Sequence, residues 1–207
     1  ANNGSANLML RNEADGSGRG WRFTDVTGET GLDANNRRFS FAAAWEDYDN
    51  DGDVDLYVAN DYGRNCLYQN EGGRFKDVAE QVGVEDLGPG MSVTWGDWNN
   101  DGRMDLYVSN MFSGAGNRIT FQPRFQRHAS DTSRRFLQRF VRGNSLFTNL
   151  AGGNGPAFRD DTTNAGVMPA RWAWASLFAD LNNDGREDLS ATAAWRVLRG
   201  GSWFDAE

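Results

Sequence analysis

The stretch Asp47-Tyr-Asp-Asn-Asp-Gly-Asp-Val-Asp55-Leu returns twice, as Asp97-Trp-Asn-Asn-Asp-Gly-Arg-Met-Asp105-Leu and Asp180-Leu-Asn-Asn-Asp-Gly-Arg-Glu-Asp188-Leu. Each copy carries oxygen-bearing side chains at loop positions 1, 3, 5 and 9. A glycine stands at position 6, where a sharp turn lets the backbone wrap a hard cation. Two like charges about 4 Å apart, at an effective dielectric near 20, repel by about 4 kcal/mol. Three or four carboxylates folded into one turn therefore call for a cation, and the oxygen-only donor set points to calcium.

The spacing also excludes a helix–loop–helix calcium site. Such a loop closes with a bidentate Glu at position 12, whereas position 12 here is Val58, Val108 and Ala191. The closing carboxylate comes at position 9, and the first two loops continue into Leu-Tyr-Val, an alternating run suited to a β-strand. The loop thus belongs on a β-hairpin. A single Asp/Asn/Gly cluster could be a solvated turn, but three copies in register argue for one repeated supersecondary unit.

A second motif alternates with the first. Asn65-Cys-Leu-Tyr-Gln-Asn70 is followed by Phe75-Lys-Asp-Val78 and Gly83-Val84, and Asn144-Ser-Leu-Phe-Thr-Asn149 by Phe158-Arg-Asp160 and Gly166-Val167. A further copy, Asn7-Leu-Met-Leu-Arg-Asn12 with Phe23-Thr-Asp-Val26 and Gly31-Leu32, opens the chain. Each unit reads as four short strands, which is a propeller blade. The expected fold is all-β: blades of four antiparallel strands, three to four in number, forming a partial, open or small propeller. The 207 residues divide into a partial blade 1–38, a blade 39–84, a blade 91–167 and a partial blade 171–207.

The first two loops start 50 residues apart and the next two 83 apart, so the second blade holds an insertion, placed at 112–143. Seven arginines (118, 124, 127, 134, 135, 139 and 142) face one acid there, Asp131, giving +6. The chain as a whole carries −8, which leaves −14 outside the insertion. Within it, Phe136, Leu137, Phe140 and Val141 fall on one helical face behind a Ser130/Asp131 cap, so a short amphipathic helix is expected in a mainly helical and loop insertion. It reads either as a lid whose arginines meet the acidic body or as a docking surface for an anionic partner.

Net acidity argues against a nucleic-acid partner, and no apolar run is long enough to span a membrane. The single cysteine, Cys66, allows no intrachain disulfide, and His128 is the lone histidine. Neither forms a catalytic pair in the sequence, so no enzyme activity is expected. Cys66 aligns with Leu8 and Ser145 in the other copies and reads as a packing position. The eight tryptophans read mostly as core, Trp45 and Trp95 most of all, since each stands two residues before a loop.

The repeated D-x-[DN]-x-D-G-x-x-D-L, continuing as Tyr-Val-[Ala/Ser]-Asn and followed by N-x-L-[YF]-x-N, resembles the FG-GAP/VCBS repeats of integrin α-subunit propellers. The stretches Asn110-Met-Phe-Ser-Gly-Ala-Gly-Asn-Arg-Ile-Thr and Arg171-Trp-Ala-Trp-Ala-Ser-Leu-Phe-Ala-Asp-Leu-Asn-Asn-Asp-Gly are similar to bacterial proteins of the cartilage acidic protein group, which often carry an ASPIC/UnbV module. The resemblance runs over residues 7–190 and implies a calcium-stabilised β-propeller that is secreted, periplasmic or on the cell surface, with binding or adhesion as its role. Its calcium ligands carry over onto Asp47, Asp49, Asp51 and Asp55, onto Asp97, Asn99, Asp101 and Asp105, and onto Asp180, Asn182, Asp184 and Asp188. Asp53, Arg103 and Arg186 at position 7 add a backbone carbonyl only. Up to three Ca2+ ions are implied, with the first loop tightest because it holds four aspartates.

Such propellers usually have about seven blades, more than this chain supplies, and Arg196-Val-Leu-Arg-Gly-Gly-Ser-Trp203 looks like a stretch of formylglycine-generating-enzyme-type domains. The functional expectation is a calcium-binding interaction or adhesion module with a protein or glycan partner. The alternative is a structural subunit that completes a larger assembly through open sheet edges, and a propeller-scaffold enzyme is the least supported reading.

Overall fold

Alternating apolar residues bounded by Asn, Asp and Gly turns make this chain a series of antiparallel hairpins. The computed structural model describes residues 4–14, 16–17, 20–151, 157–168, 172–193, 196–199 and 202–205. Arg171, Trp195 and the side chain of Trp203 lie outside the described residues. Strands β1 (Leu10–Ala14) and β2 (Trp21–Asp25) form a two-stranded sheet, followed by the single-turn helix α1 (Thr27–Thr30). Then β3 (Phe39–Glu46), β4 (Asp55–Tyr62), β5 (Cys66–Asn70) and β6 (Phe75–Asp77) pair in sequence order as a four-stranded meander, and the turn α2 (Ala79–Val82) leads onward. The plan repeats in β7 (Gly90–Gly96) and β8 (Asp105–Asn110). After an insertion carrying α3 (Gly114–Thr120) and α4 (Asp131–Val141), the same sheet is completed by β9 (Ser145–Asn149) and β10 (Phe158–Asp160). Strands β11 (Ala173–Ala179) and β12 (Asp188–Ala193) pair as a third hairpin of this type, and β13 (Arg196–Arg199) pairs with β14 (Ser202–Asp205).

The described residues are thus predominantly antiparallel β, and the two complete sheets are four-stranded blades. They stack face to face, with β7 against β3 and β4, and β11 against β7 and β8. Burial on both faces explains why the centres of β4 and β8 are the unbroken apolar runs Leu56-Tyr-Val-Ala59 and Leu106-Tyr-Val108 in place of an alternating pattern, with buried polar residues at their ends. Leu56 and Val58 point into a cluster with Leu32, Cys66 and Tyr68, while Tyr57 and Ala59 point the other way, toward Leu106, Val108 and Phe147 of the next sheet. Tyr107 then faces Leu146 and Phe178. The buried Tyr57 hydroxyl donates to the Val84 carbonyl at 2.9 Å, and Tyr107 repeats the bond to Val167 at 3.4 Å. Close stacking demands small residues. A Cβ on Gly96 would lie 2.6 Å from the Phe178 ring.

The tryptophans divide. Trp95 is packed among Tyr48, Tyr57 and Phe158, with ring centroids 6.3–6.4 Å away. Trp45 does not share this burial and is 44% exposed, and Trp21 and Trp172 are also exposed, which corrects the expectation of a mostly buried set. The reason is the neighbour. Trp95 lies on β7, which packs against β3 and β4 of the first sheet, whereas Trp45 meets Phe75 edge-on at 5.9 Å and otherwise borders an open groove of about 340 Å³ between β3 and the segments around Asn7–Met9 and Leu32. Cys66 is buried in packing contact, and burial pushes its thiol up to about 12.

In the insertion, Ser113 and Ser130 cap α3 and α4 by accepting the amides of Gly116 (2.9 Å) and Ser133 (3.1 Å). The apolar face of α4 is only partly covered. Phe140 meets Tyr62 edge-on at 6.2 Å, but Phe136 stays 43% exposed. The helix is held chiefly by charge. Arg139 reaches down to Asp86, which is fully buried, at 3.0 Å, and with Arg142 it flanks Asp160. Burial alone would raise the Asp86 pKa, but Arg139, Ser145, Asn110 and the Gly88 amide together hold it below the usual carboxylate value. Removing one partner of such a pair strands a buried charge. Arg139→Met should therefore lower the unfolding free energy by about 3–5 kcal/mol, measured by urea titration; a loss under about 1 kcal/mol, the range of exposed pairs, would show that the pair does not pin the insertion.

Candidate metal centre

Each acidic repeat forms the turn between the first two strands of a hairpin, at residues 47–54, 97–104 and 180–187, and the three turns share one backbone. The fourth residue adopts a left-handed conformation (Asn50 φ 60°, Asn100 57°, Asn183 59°), as does the glycine at position 6 (93°, 81°, 80°). Asparagine and glycine are the residues that tolerate this region, so the Asn-Asp-Gly triplet is what curls the chain back on itself. The side chain at position 1 holds the curl. The Asp47 carboxylate accepts the amides of Asp51 and Gly52 at 3.1 and 3.0 Å, Asp97 those of Asp101 and Gly102 at 2.9 and 2.8 Å, and Asp180 those of Asp184 and Gly185 at 3.1 and 2.9 Å.

Position 9 closes the loop from the first residue of the next strand. Asp55 is fully buried and accepts the Tyr48 amide (3.2 Å) on one oxygen and the Asn70 amide of β5 (2.7 Å) on the other. Asp105 is equally buried and accepts the Asn149 amide at 2.7 Å, but its second oxygen has no hydrogen-bond partner. Asp188 takes the Leu181 amide at 3.1 Å. The loops are also tied to their neighbours: Asn149 donates to the Tyr48 carbonyl (2.8 Å), Glu187 accepts the Asp97 amide (2.8 Å) and Asn100 donates to the Gly185 carbonyl (2.8 Å).

In the first loop, ligand oxygens of Asp47, Asp49 and Asp55 lie within 4.8 Å of one another. Asp51 stands outside this trio, its carboxylate accepting the Asp53 amide at 2.8 Å. In the second and third loops the carboxylates are not gathered as closely among the described residues. Asn99 and Asn182 occupy position 3, each accepting the amide two residues on at 3.1 and 2.9 Å. Asp101 and Asp184 accept the amides of Arg103 and Arg186 at 3.0 and 2.9 Å. The position-7 side chains differ: Asp53 turns out of the curl to accept the Gly72 amide at 2.8 Å, whereas the Arg103 guanidinium folds back to pair with the candidate ligand Asp101 and donates to the Asn149 carbonyl at 3.1 Å.

These residues fit a hard divalent cation. The donors are carboxylate and amide oxygens, and three carboxylates converge in the first loop. Without a cation, burial first, and then the neighbouring Asp49 and Asp51, push Asp55 up to about 6; burial, with Asp101 and Asp97, pushes Asp105 up to about 7. His128 is exposed and lies far along the chain in the insertion, where Arg127 donates to it at 3.2 Å.

The FG-GAP-like repeat family matches the chain over residues 47–108, from the first loop into β8. The match begins after β3, takes in β4, β5, β6 and β7, ends within β8, and supports an FG-GAP-like repeat there. No curated protein matches the chain. Sequence reasoning placed the candidate ligands on these loops but did not single out Asn70 and Asn149, whose amides hold the closing aspartates. The signal was present in the Asn that ends each N-x-L-[YF]-x-N motif.

The raised carboxylates set a pH dependence. Between the unfolded value of about 4 and the folded values of about 6 and 7, the folded chain holds protons that the unfolded chain has released, so their contribution to stability falls as pH rises. In chelator, the melting temperature should be higher near pH 5 than near pH 7.5, and with saturating calcium, which must displace those protons, the order should reverse. Parallel pH profiles with and without calcium would show that these aspartates do not bind the ion.

Proposed function

We propose that this chain is a calcium-ordered, propeller-type interaction module. The metal would sit in the hairpin loops and fix their geometry, and the end of the blades away from the loops would meet a partner. The observation that carries the reading is the convergence of Asp47, Asp49 and Asp55 on a backbone curl that recurs at 97–104 and 180–187. With Asp55 donated by β4 and held by β5, a bound ion would tie the loop to its sheet, and carboxylate ligands on a closed curl suit a structural ion. In a compartment with millimolar calcium even weak sites fill, so a secreted, periplasmic or surface location agrees with the reading. Among the described residues no helix is long and apolar enough to cross a membrane. Binding in place of catalysis is favoured by the engagement of the clustered carboxylates in the loops and by the buried, proton-retaining Cys66 thiol.

A second reading has its own observation. Sheets β1–β2 and β11–β12 have two strands each, and the groove beside Trp45 is open. Both agree with a subunit whose edges are completed in a larger assembly, and a monodisperse monomer in light scattering would remove that reading.

The direct test of the first reading is thermal unfolding followed by circular dichroism after chelation, with calcium or magnesium returned. A site filled to about 100 times its Kd adds about 2.7 kcal/mol, so calcium should raise the melting temperature by several degrees and magnesium by less. An unchanged melting temperature would reduce the loops to ordinary turns.

A further inference from the structure

The two ends of the blades differ in chemistry. Metal loops lie where β3, β7 and β11 end, and the insertion, which joins β8 to β9, lies at the opposite end together with the start of β3 and the end of β4. No acidic residue occurs between Asp105 and Asp131. Arg139 and Arg142 are committed inward to Asp86 and Asp160, and Arg134 to Asp131. Arg118, Arg124, Arg127 and Arg135 are exposed and make no ion pair among the described residues. Beside them Ile119 is 49% exposed and Phe121 62%. At the same end of the blades an aromatic row runs from Phe136 through Phe140 to Tyr62 and Phe39, with successive centroids 6.2–6.3 Å apart.

Arginines alone would suit any polyanion, but a soluble polyanion leaves Ile119 and Phe121 in water. A bilayer interface takes both classes at once: phosphates receive the guanidinium groups and the headgroup boundary receives the apolar side chains. The −14 carried by the rest of the chain would be repelled by the same surface, so the field orients the molecule with its insertion toward the lipid and its metal loops away. We propose that the insertion end docks on an anionic lipid surface, with Ile119 and Phe121 at the headgroup boundary and Arg118, Arg124, Arg127 and Arg135 on the phosphates. The proposal rests on the interaction-module reading and names its partner.

The test is flotation of the calcium-loaded chain with phosphatidylglycerol–phosphatidylcholine vesicles, against phosphatidylcholine alone. Binding should require the anionic lipid and weaken as salt rises. Each arginine near such a surface contributes about a fivefold gain in partition, so Arg118→Gln, Arg124→Gln and Arg127→Gln combined should lower it about a hundredfold. Ile119→Ser with Phe121→Ser should weaken binding at high salt, where the apolar contribution remains. These side chains are exposed, so both variants should melt at the parent temperature. Equal binding to neutral vesicles, equal binding by the arginine variant, or retention on heparin without any vesicle binding would each overturn the lipid assignment. If vesicles fail while calcium still raises the melting temperature, the lipid proposal falls and the interaction module stands; if calcium has no effect but anionic vesicles bind through the arginines, the metal reading falls and the docking surface stands.

Discussion

A buried aspartate at the ninth loop position couples everything else in this molecule. Asp55 and Asp105 are each the first residue of the second strand of their blade, each is shielded from water, and each accepts the amide of an asparagine that ends the third strand. One side chain therefore belongs to the turn, the sheet and the candidate ion site together. Left without a cation it holds an ill-accommodated charge, as the upward push on both carboxyls shows. With a cation, the desolvation that raises those values is offset by direct coordination.

The stacking of the sheets follows from that arrangement. Once the turn sets the register, Leu56 and Val58 must face one neighbour and Tyr57 the other, and the same holds for β8. Tyr57 and Tyr107 then reach past the core to a carbonyl just beyond α2 and at the end of the corresponding 162–167 segment, tying the chain that leaves each blade to its second strand. Each sheet is therefore completed by its neighbour, and Trp45, with little opposite it, stays half exposed where Trp95 does not.

The insertion uses charge twice. Two of its arginines neutralise buried or half-buried acids and act as anchors, and the remainder keep their charge at the surface beside apolar side chains. The division is set by depth: Asp86 is fully buried, and Arg139 joins the Leu87 and Gly88 amides and Asn110 in holding its charge.

How much of this could be read in advance depended on whether the determining interactions were local. The glycine turn of each loop, the strand alternation and the Ser130 cap are settled by residues within a few positions of each other, and all were legible; the position-1 carboxylate that bonds back to the curl was seen only in the structure. Which carboxylates converge was not legible: Asp51 and Asp49 have the same residue type and adjacent odd positions, yet Asp49 joins the trio with Asp47 and Asp55 while Asp51 turns to an amide. The exposure of Trp45, the anchoring of Arg139 on Asp86 and the pairing of Asn70 with Asp55 were decided only by the tertiary structure, because each depends on which distant surface arrives opposite a side chain. Sequence alone therefore determined a repeated, antiparallel, oxygen-rich hairpin unit. Which carboxylates meet, which arginines stay free and which aromatic faces stay open were set by the packing of one sheet on the next.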